Sequence, residues 1–113
     1  MYRKLSRESS IRRSILAGIC KDVIMNESVV TTEARAKEVR KFVDKMITYG
    51  KSGSLVSRRK ALAFLHNDTK VVNKIFNELA PRYAERNGGY TRIIKLNERK
   101  GDDALEVRLE LVD

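Results

Sequence analysis

Few residues in this chain have side chains that do covalent chemistry. The 113 residues include one His and one Cys. His66 stands two residues before Asp68, and a serine beside them would complete a nucleophilic triad. Nothing in the sequence positions such a serine. Cys20 and His66 together cannot make a zinc site of the usual type, which takes four Cys or His ligands. Asp and Glu are scattered singly, so no paired carboxylates point to acid–base work. "YGKS", residues 49–52, resembles the end of a phosphate-binding loop. That loop needs a glycine where Lys45 stands, a strand before it and a helix directly after it. The sequence therefore predicts no catalytic residue, no metal site, no cofactor and no small-molecule substrate.

What remains is charge. The chain holds 24 Lys and Arg against 15 Asp and Glu, a net of +9. Residues 1–60 carry 15 basic and 6 acidic side chains, whereas residues 61–113 carry 9 of each. All the excess lies in the first half, which points to a surface for a polyanion. Phosphates are met by Lys as a point charge and by Arg through paired N–H donors. At 42% hydrophobic residues the chain is no disordered tail, and a modest aliphatic core is expected. No apolar run is long enough to span a membrane. A single cysteine fits a reducing cytosol.

The elements that must carry this charge follow from periodicity. Residues 1–8 lack it and read as a basic arm, with Tyr2, Arg3, Lys4 and Arg7; residues 9–113 read as one globular domain. A helix is predicted from about Ser10 to Asn26, capped by Ser9 or Ser10. Its apolar face takes Ile11, Ile15, Ile19 and Val23, with Leu16, Cys20 and Ile24. Arg12 and Arg13 stand in its first turn, where an external phosphate would offset the dipole. Gly18 is expected to mark close packing. "SVVTT", residues 28–32, reads as a strand. A long helix follows over 33–49, capped by Thr32, with Ala36, Val39, Phe42, Val43, Met46 and Ile47 buried. Lys37, Lys41 and Lys45 form a like-charge row on it.

"GKSGS", residues 50–54, reads as the main loop. A third helix over 55–65 presents Arg58, Arg59 and Lys60, with His66 at its end. A fourth runs over 69–80 behind an Asp68 cap, then a short turn from Pro81 stops at Asn87-Gly88. Residues 90–96 and 104–112 read as strands joined by the hairpin loop 97–104. In "NGGYTR", residues 87–92, Gly88 ends the turn and Gly89 leaves room for a sugar-phosphate. Tyr90 either stacks on an unpaired base or packs in the core, and Arg92, two residues on, faces the same way.

"TTEARAKEVRKFVDKMIT", "RRKALAFL", "KIFNELAPRYAERNGGYTRI" and the closing "ELVD" resemble the bacterial large-subunit ribosomal protein of the L-seventeen family, over essentially the whole chain. The resemblance implies an α/β domain of α+β type: a small mixed three-stranded sheet packed with four to five helices. It implies a cytoplasmic, non-enzymatic, structural protein near the exit of the peptide tunnel, with large-subunit rRNA and neighbouring ribosomal proteins as partners. It matches Arg3, Lys4, Arg7, Ser9, Arg12 and Arg13 to the basic segment that meets rRNA, Arg58 and Arg59 to the basic third-helix segment, and Gly88, Gly89, Tyr90, Thr91 and Arg92 to the signature turn, all of them candidate rRNA contacts. Tyr2, Lys37 and Lys41 join them on position and charge. Ser6, Ile11 and Ala17-Gly18 depart from the family pattern, and Ile11 is expected to extend the apolar face or to meet a neighbouring protein. The rival reading is a DNA-binding regulator using residues 54–65 as a recognition helix. The looseness of "GKSGS" argues against it.

Overall fold

The computed structural model describes the backbone of residues 2–98 and 105–113, and the side chains of residues 11–96 and 105–113. The element order is α1 (Tyr2–Asn26), β1 (Ser28–Thr32), α2 (Glu33–Ser52), α3 (Leu55–Phe64) and α4 (Thr69–Lys74). A π-helical turn (Ile75–Leu79), α5 (Ala80–Arg82), β2 (Thr91–Glu98) and β3 (Leu105–Leu111) follow. The helices pack with a three-stranded sheet, as the α+β expectation required. The strand order is β1-β3-β2 and both ladders are antiparallel, so the sheet is not mixed. The loop expected over 97–104 falls largely outside the described residues.

Alternation in "LEVRLEL" sets the sheet. Val107, Leu109 and Leu111 are buried from the central strand, and Arg108 is exposed between them. Arg92 lies directly opposite Glu110, close enough for a cross-strand ion pair at 2.7 Å.

α2 is the hub and packs against α1, α3, the π turn, α5 and all three strands. Thr32 caps it by accepting the Arg35 N–H. Its buried stripe is Ala36, Val39, Val43, Met46 and Ile47, as expected, and Phe42 is half-buried. Gly50 and Lys51 are not loop residues, contrary to the sequence expectation: the helix continues through them to Ser52. Gly53, at φ 67°, closes it by donating its N–H to the Tyr49 carbonyl at 3.1 Å. Gly50 is buried because α2 passes against the π turn there. A Cβ on it would lie 2.8 Å from Ile75 Cγ2 and 3.1 Å from the Ile75 carbonyl oxygen. The close packing expected of Gly18 is therefore found at Gly50. Gly18 is exposed, and a Cβ placed there would meet nothing within 4 Å.

The π turn has a local cause. Pro81 offers no N–H to the Asn77 carbonyl, and its ring would press on that oxygen in a regular helix. The wider turn just before it accommodates both. The Ala80 N–H reaches back five residues to Ile75. Asp68 caps α4 through the Val71 N–H, as predicted.

α1 differs most from expectation. It starts at Tyr2, so the segment expected as an arm is helical in its backbone, and neither Ser9 nor Ser10 is its cap. No Gly or Pro interrupts residues 2–10 to stop the helix. Ile11 and Ile15 are 60% and 41% exposed, and the buried face is Leu16, Ala17, Cys20, Val23 and Ile24. Burial pushes the Cys20 thiol up to about 12, which keeps it protonated.

Glu27 turns the chain from α1 into β1 at φ 65°, a left-handed conformation unfavourable for a side chain of this kind. Its carboxylate accepts Arg82 Nη1 at 2.7 Å and Nη2 at 3.1 Å, and Lys74 Nζ at 3.2 Å. Its carbonyl takes the Leu111 N–H at 2.9 Å. One residue thus ties α1 to α4, α5 and β3. The Arg82 guanidinium first, with Lys74, holds the Glu27 carboxyl down to about 2 against burial.

Gly50→Ala and Gly18→Ala should have opposite signs in denaturant unfolding. The first is expected to lose about 1–3 kcal/mol to overpacking, and the second to gain about 0.5–1 kcal/mol from helix propensity. Glu27 stabilises the fold above its unfolded value of 4.5 and loses that contribution as pH falls toward about 2. Glu27→Gln should cost about 1 kcal/mol at pH 7, a figure discounted for a partly exposed pair. In a pH series of unfolding midpoints, the variant should show a shallower loss across that window.

Candidate nucleic-acid interface

The basic side chains fall into two groups. Some are tied to partners within the chain. Arg12 pairs with Glu38 across α1 and α2. Lys37 lies 3.3 Å from Glu33, one helical turn back. Arg58 donates to Asn73 Oδ1 at 2.5 Å, with its guanidinium carbon 5.1 Å from the centre of the Phe76 ring, so it joins α3 to α4. Arg92 is held by Glu110, which raises its already high pKa. These residues remain at the surface, but part of their donor capacity is spent internally.

Arg13, Lys41 and Arg59 form the second group. All three are exposed, and among the described residues none makes a salt bridge. They stand on α1, α2 and α3, the three helices that hold the excess charge. Arg35, Arg40, Lys45 and Lys60, exposed on the same helices, add to the surface. The side chains of Tyr2, Arg3, Lys4, Arg7 and Ser9 lie outside the described residues.

Of the two readings of Tyr90, packing in the core is the one this structure shows. Tyr90 is 2% exposed and Thr91 is 3% exposed, so neither offers a face to RNA. The Tyr90 ring packs at 5.2 Å from that of Tyr83. Its hydroxyl donates to the Arg86 carbonyl at 3.1 Å and accepts from Lys51 Nζ at 3.0 Å. Lys51 also donates to the Arg86 carbonyl at 2.5 Å. Tyr90 precedes β2, which starts at Thr91, so the alternation rule does not put it beside Arg92: Thr91 points inward and Arg92 outward. Gly88 and Gly89 are exposed at φ 78° and 63°, with nothing within 4 Å of a Cβ position. Two successive left-handed residues explain the pair, and the turn remains open to close approach.

One constellation is not visible in the sequence. A groove of about 490 Å³ opens between α1, α2 and α3. Arg13 and Ser14 line one wall, Phe42, Lys45, Met46 and Tyr49 the second, and Lys60, Ala63, Phe64 and His66 the third. The Phe42 and Phe64 rings stack at 4.8 Å with 16° between planes. The signal within α2 is Phe42 and Tyr49, two turns apart, with Lys45 between them. The partners from α1 and α3 have no sequence spacing that announces them. His66, at φ 54°, follows the end of α3. No three His, Cys, Asp or Glu side chains gather as a metal site among the described residues.

An α+β domain with its surplus charge on three helix surfaces is a basic binding domain. The chain belongs to the ribosomal protein L17 family, whose model matches residues 15–112. It is 57% identical to large ribosomal subunit protein bL17 of Ligilactobacillus salivarius, over 99% of this chain and 98% of that protein. It is 53% identical to the bL17 of Streptococcus gordonii and 52% identical to that of Streptococcus uberis, each over 98% of both chains. The alignment to the Ligilactobacillus protein runs over 125 positions, so that relative carries residues this chain lacks.

Tyr90→Phe removes a buried hydroxyl whose partners are both within the chain. It should lower unfolding stability by about 1 kcal/mol and leave the affinity of the folded protein for large-subunit rRNA unchanged in a filter-binding titration.

Proposed function

We propose that the chain is a structural constituent of the large ribosomal subunit, held on rRNA by the outward faces of α1, α2 and α3 near the peptide tunnel exit. The near-full-length likeness to proteins named as large-subunit components carries this reading. The charge arrangement supports it: the net +9 falls wholly within residues 1–60, which build those helices. Phosphate contacts by Arg13, Lys41 and Arg59 supply affinity and release counterions on binding. Arg12, Lys37, Arg58 and Arg92 contribute less, because each shares its donors with a partner in the fold. The open turn at Gly88-Gly89 lets a backbone approach, with Tyr90 and Thr91 supporting it from inside. Neighbouring ribosomal proteins meet the apolar groove of Ile11 and Ile15 between α1 and α2.

The family's proteins are structural and non-enzymatic, and the chain performs no catalysis. The DNA-binding alternative loses one objection, since only Gly53 and Ser54 separate α2 from α3. It gains no support from the relatives, which are named as large-subunit proteins.

Sedimentation of a lysate through a sucrose gradient tests the assignment. The chain should travel with the large subunit in near-stoichiometric amount and stay there through moderate salt; a chain left at the top, or found with the nucleoid, overturns it. With purified protein and a large-subunit rRNA transcript, Arg13→Ala and Arg59→Ala should each flatten the log–log salt dependence by about 0.7–0.9. An unchanged slope removes that residue from the interface.

A further inference from the structure

We infer that the groove between α1, α2 and α3 captures an unpaired rRNA nucleotide, its base lying on the aromatic wall and its phosphates on the basic rim. The inference rests on the rRNA-binding reading and gives it a base-recognition site that Tyr90, being buried, cannot provide.

Three features of the groove suit one nucleotide. First, aromatic rings line the groove. Phe42 and Phe64 stack on each other and are half-buried, so their packing holds them in place rather than leaving them mobile. Tyr49 continues the wall one helical turn beyond Met46. An unstacked base gains on such rings what it lost in leaving its helix, and every base has a π face to offer. Second, the cations come from three separate elements: Arg13 from α1, Lys45 from α2 and Lys60 from α3. Lys45 Nζ sits 6.0 Å from the centre of the Tyr49 ring, so positive charge and π surface occupy the same place. Third, among the described residues no carboxylate lines the groove. Among the described residues Arg13, Lys45 and Lys60 make no salt bridge. A volume of about 490 Å³ falls in the range of pockets that hold small ligands. An acidic protein segment would satisfy the cations but would leave the ring wall unused.

Ultraviolet irradiation of purified large subunits, with mass spectrometry of the cross-linked peptides, tests the site directly. The expected product is a nucleobase joined to a peptide within residues 42–66. Nucleobase links elsewhere on the chain but none in this segment would overturn the inference and leave the ribosomal assignment standing. So would chemical cross-links from Lys45 and Lys60 to a neighbouring protein with no nucleobase link. In binding to a large-subunit rRNA transcript, Tyr49→Leu should weaken affinity about tenfold, the order of one base–aromatic stack. Its salt slope should not change, because no cation is lost. Lys60→Gln, on the exposed rim, should weaken binding and flatten the slope, and it serves if Tyr49→Leu proves unstable. Wild-type affinity in both variants overturns the groove. A wild-type chain with no preference for rRNA over duplex DNA overturns the ribosomal reading itself.

Discussion

The arrangement depends on how closely α2 can lie against the π turn. Gly50 is where they touch, and no side chain fits between its Cα and Ile75. That contact fixes the C-terminal end of α2. Tyr49 and Lys51 flank Gly50 and leave the helix in different directions. Tyr49 forms the end of the groove, while Lys51 reaches the turn that carries Gly88 and Gly89. A wider separation would shift both features together. Pro81 belongs to the same constraint, because the turn that Gly50 packs against is widened just ahead of it.

The ion pairs matter here chiefly for position. Exposed pairs typically contribute about 0–1 kcal/mol each, so the pairs of Arg12, Lys37 and Arg92 add little to stability. What they do is decide where charge is available. Arg12 leans onto Glu38 while Arg13, the next residue, points elsewhere and stays unpaired among the described residues. Arg58 bonds inward to Asn73 while Arg59 faces out. In both helices adjacent arginines differ: one joins elements of the fold and the other makes no salt bridge among the described residues. Glu27 sits apart from these. It accepts two cations and holds a left-handed turn, so its contribution is to the path of the backbone between α1 and β1.

Local pattern determined much of this protein. The stripe on α2, the alternation on β3, the caps at Thr32 and Asp68, the charge asymmetry and the family resemblance were all legible, because each depends on residues near one another in the chain. What tertiary structure decided was which of several equivalent residues meets a partner. Gly18 and Gly50 are both glycines within helices, yet only Gly50 faces another backbone. Ile11 and Ile15 continue the period of α1, but among the described residues nothing covers them, so they are exposed. Tyr90 is buried because Tyr83, Lys51 and the Arg86 carbonyl converge on it from separate segments. The groove joins residues 13 to 66 from three helices. Helical spacing states which face a side chain occupies; only the packing of distant segments states what lies opposite that face.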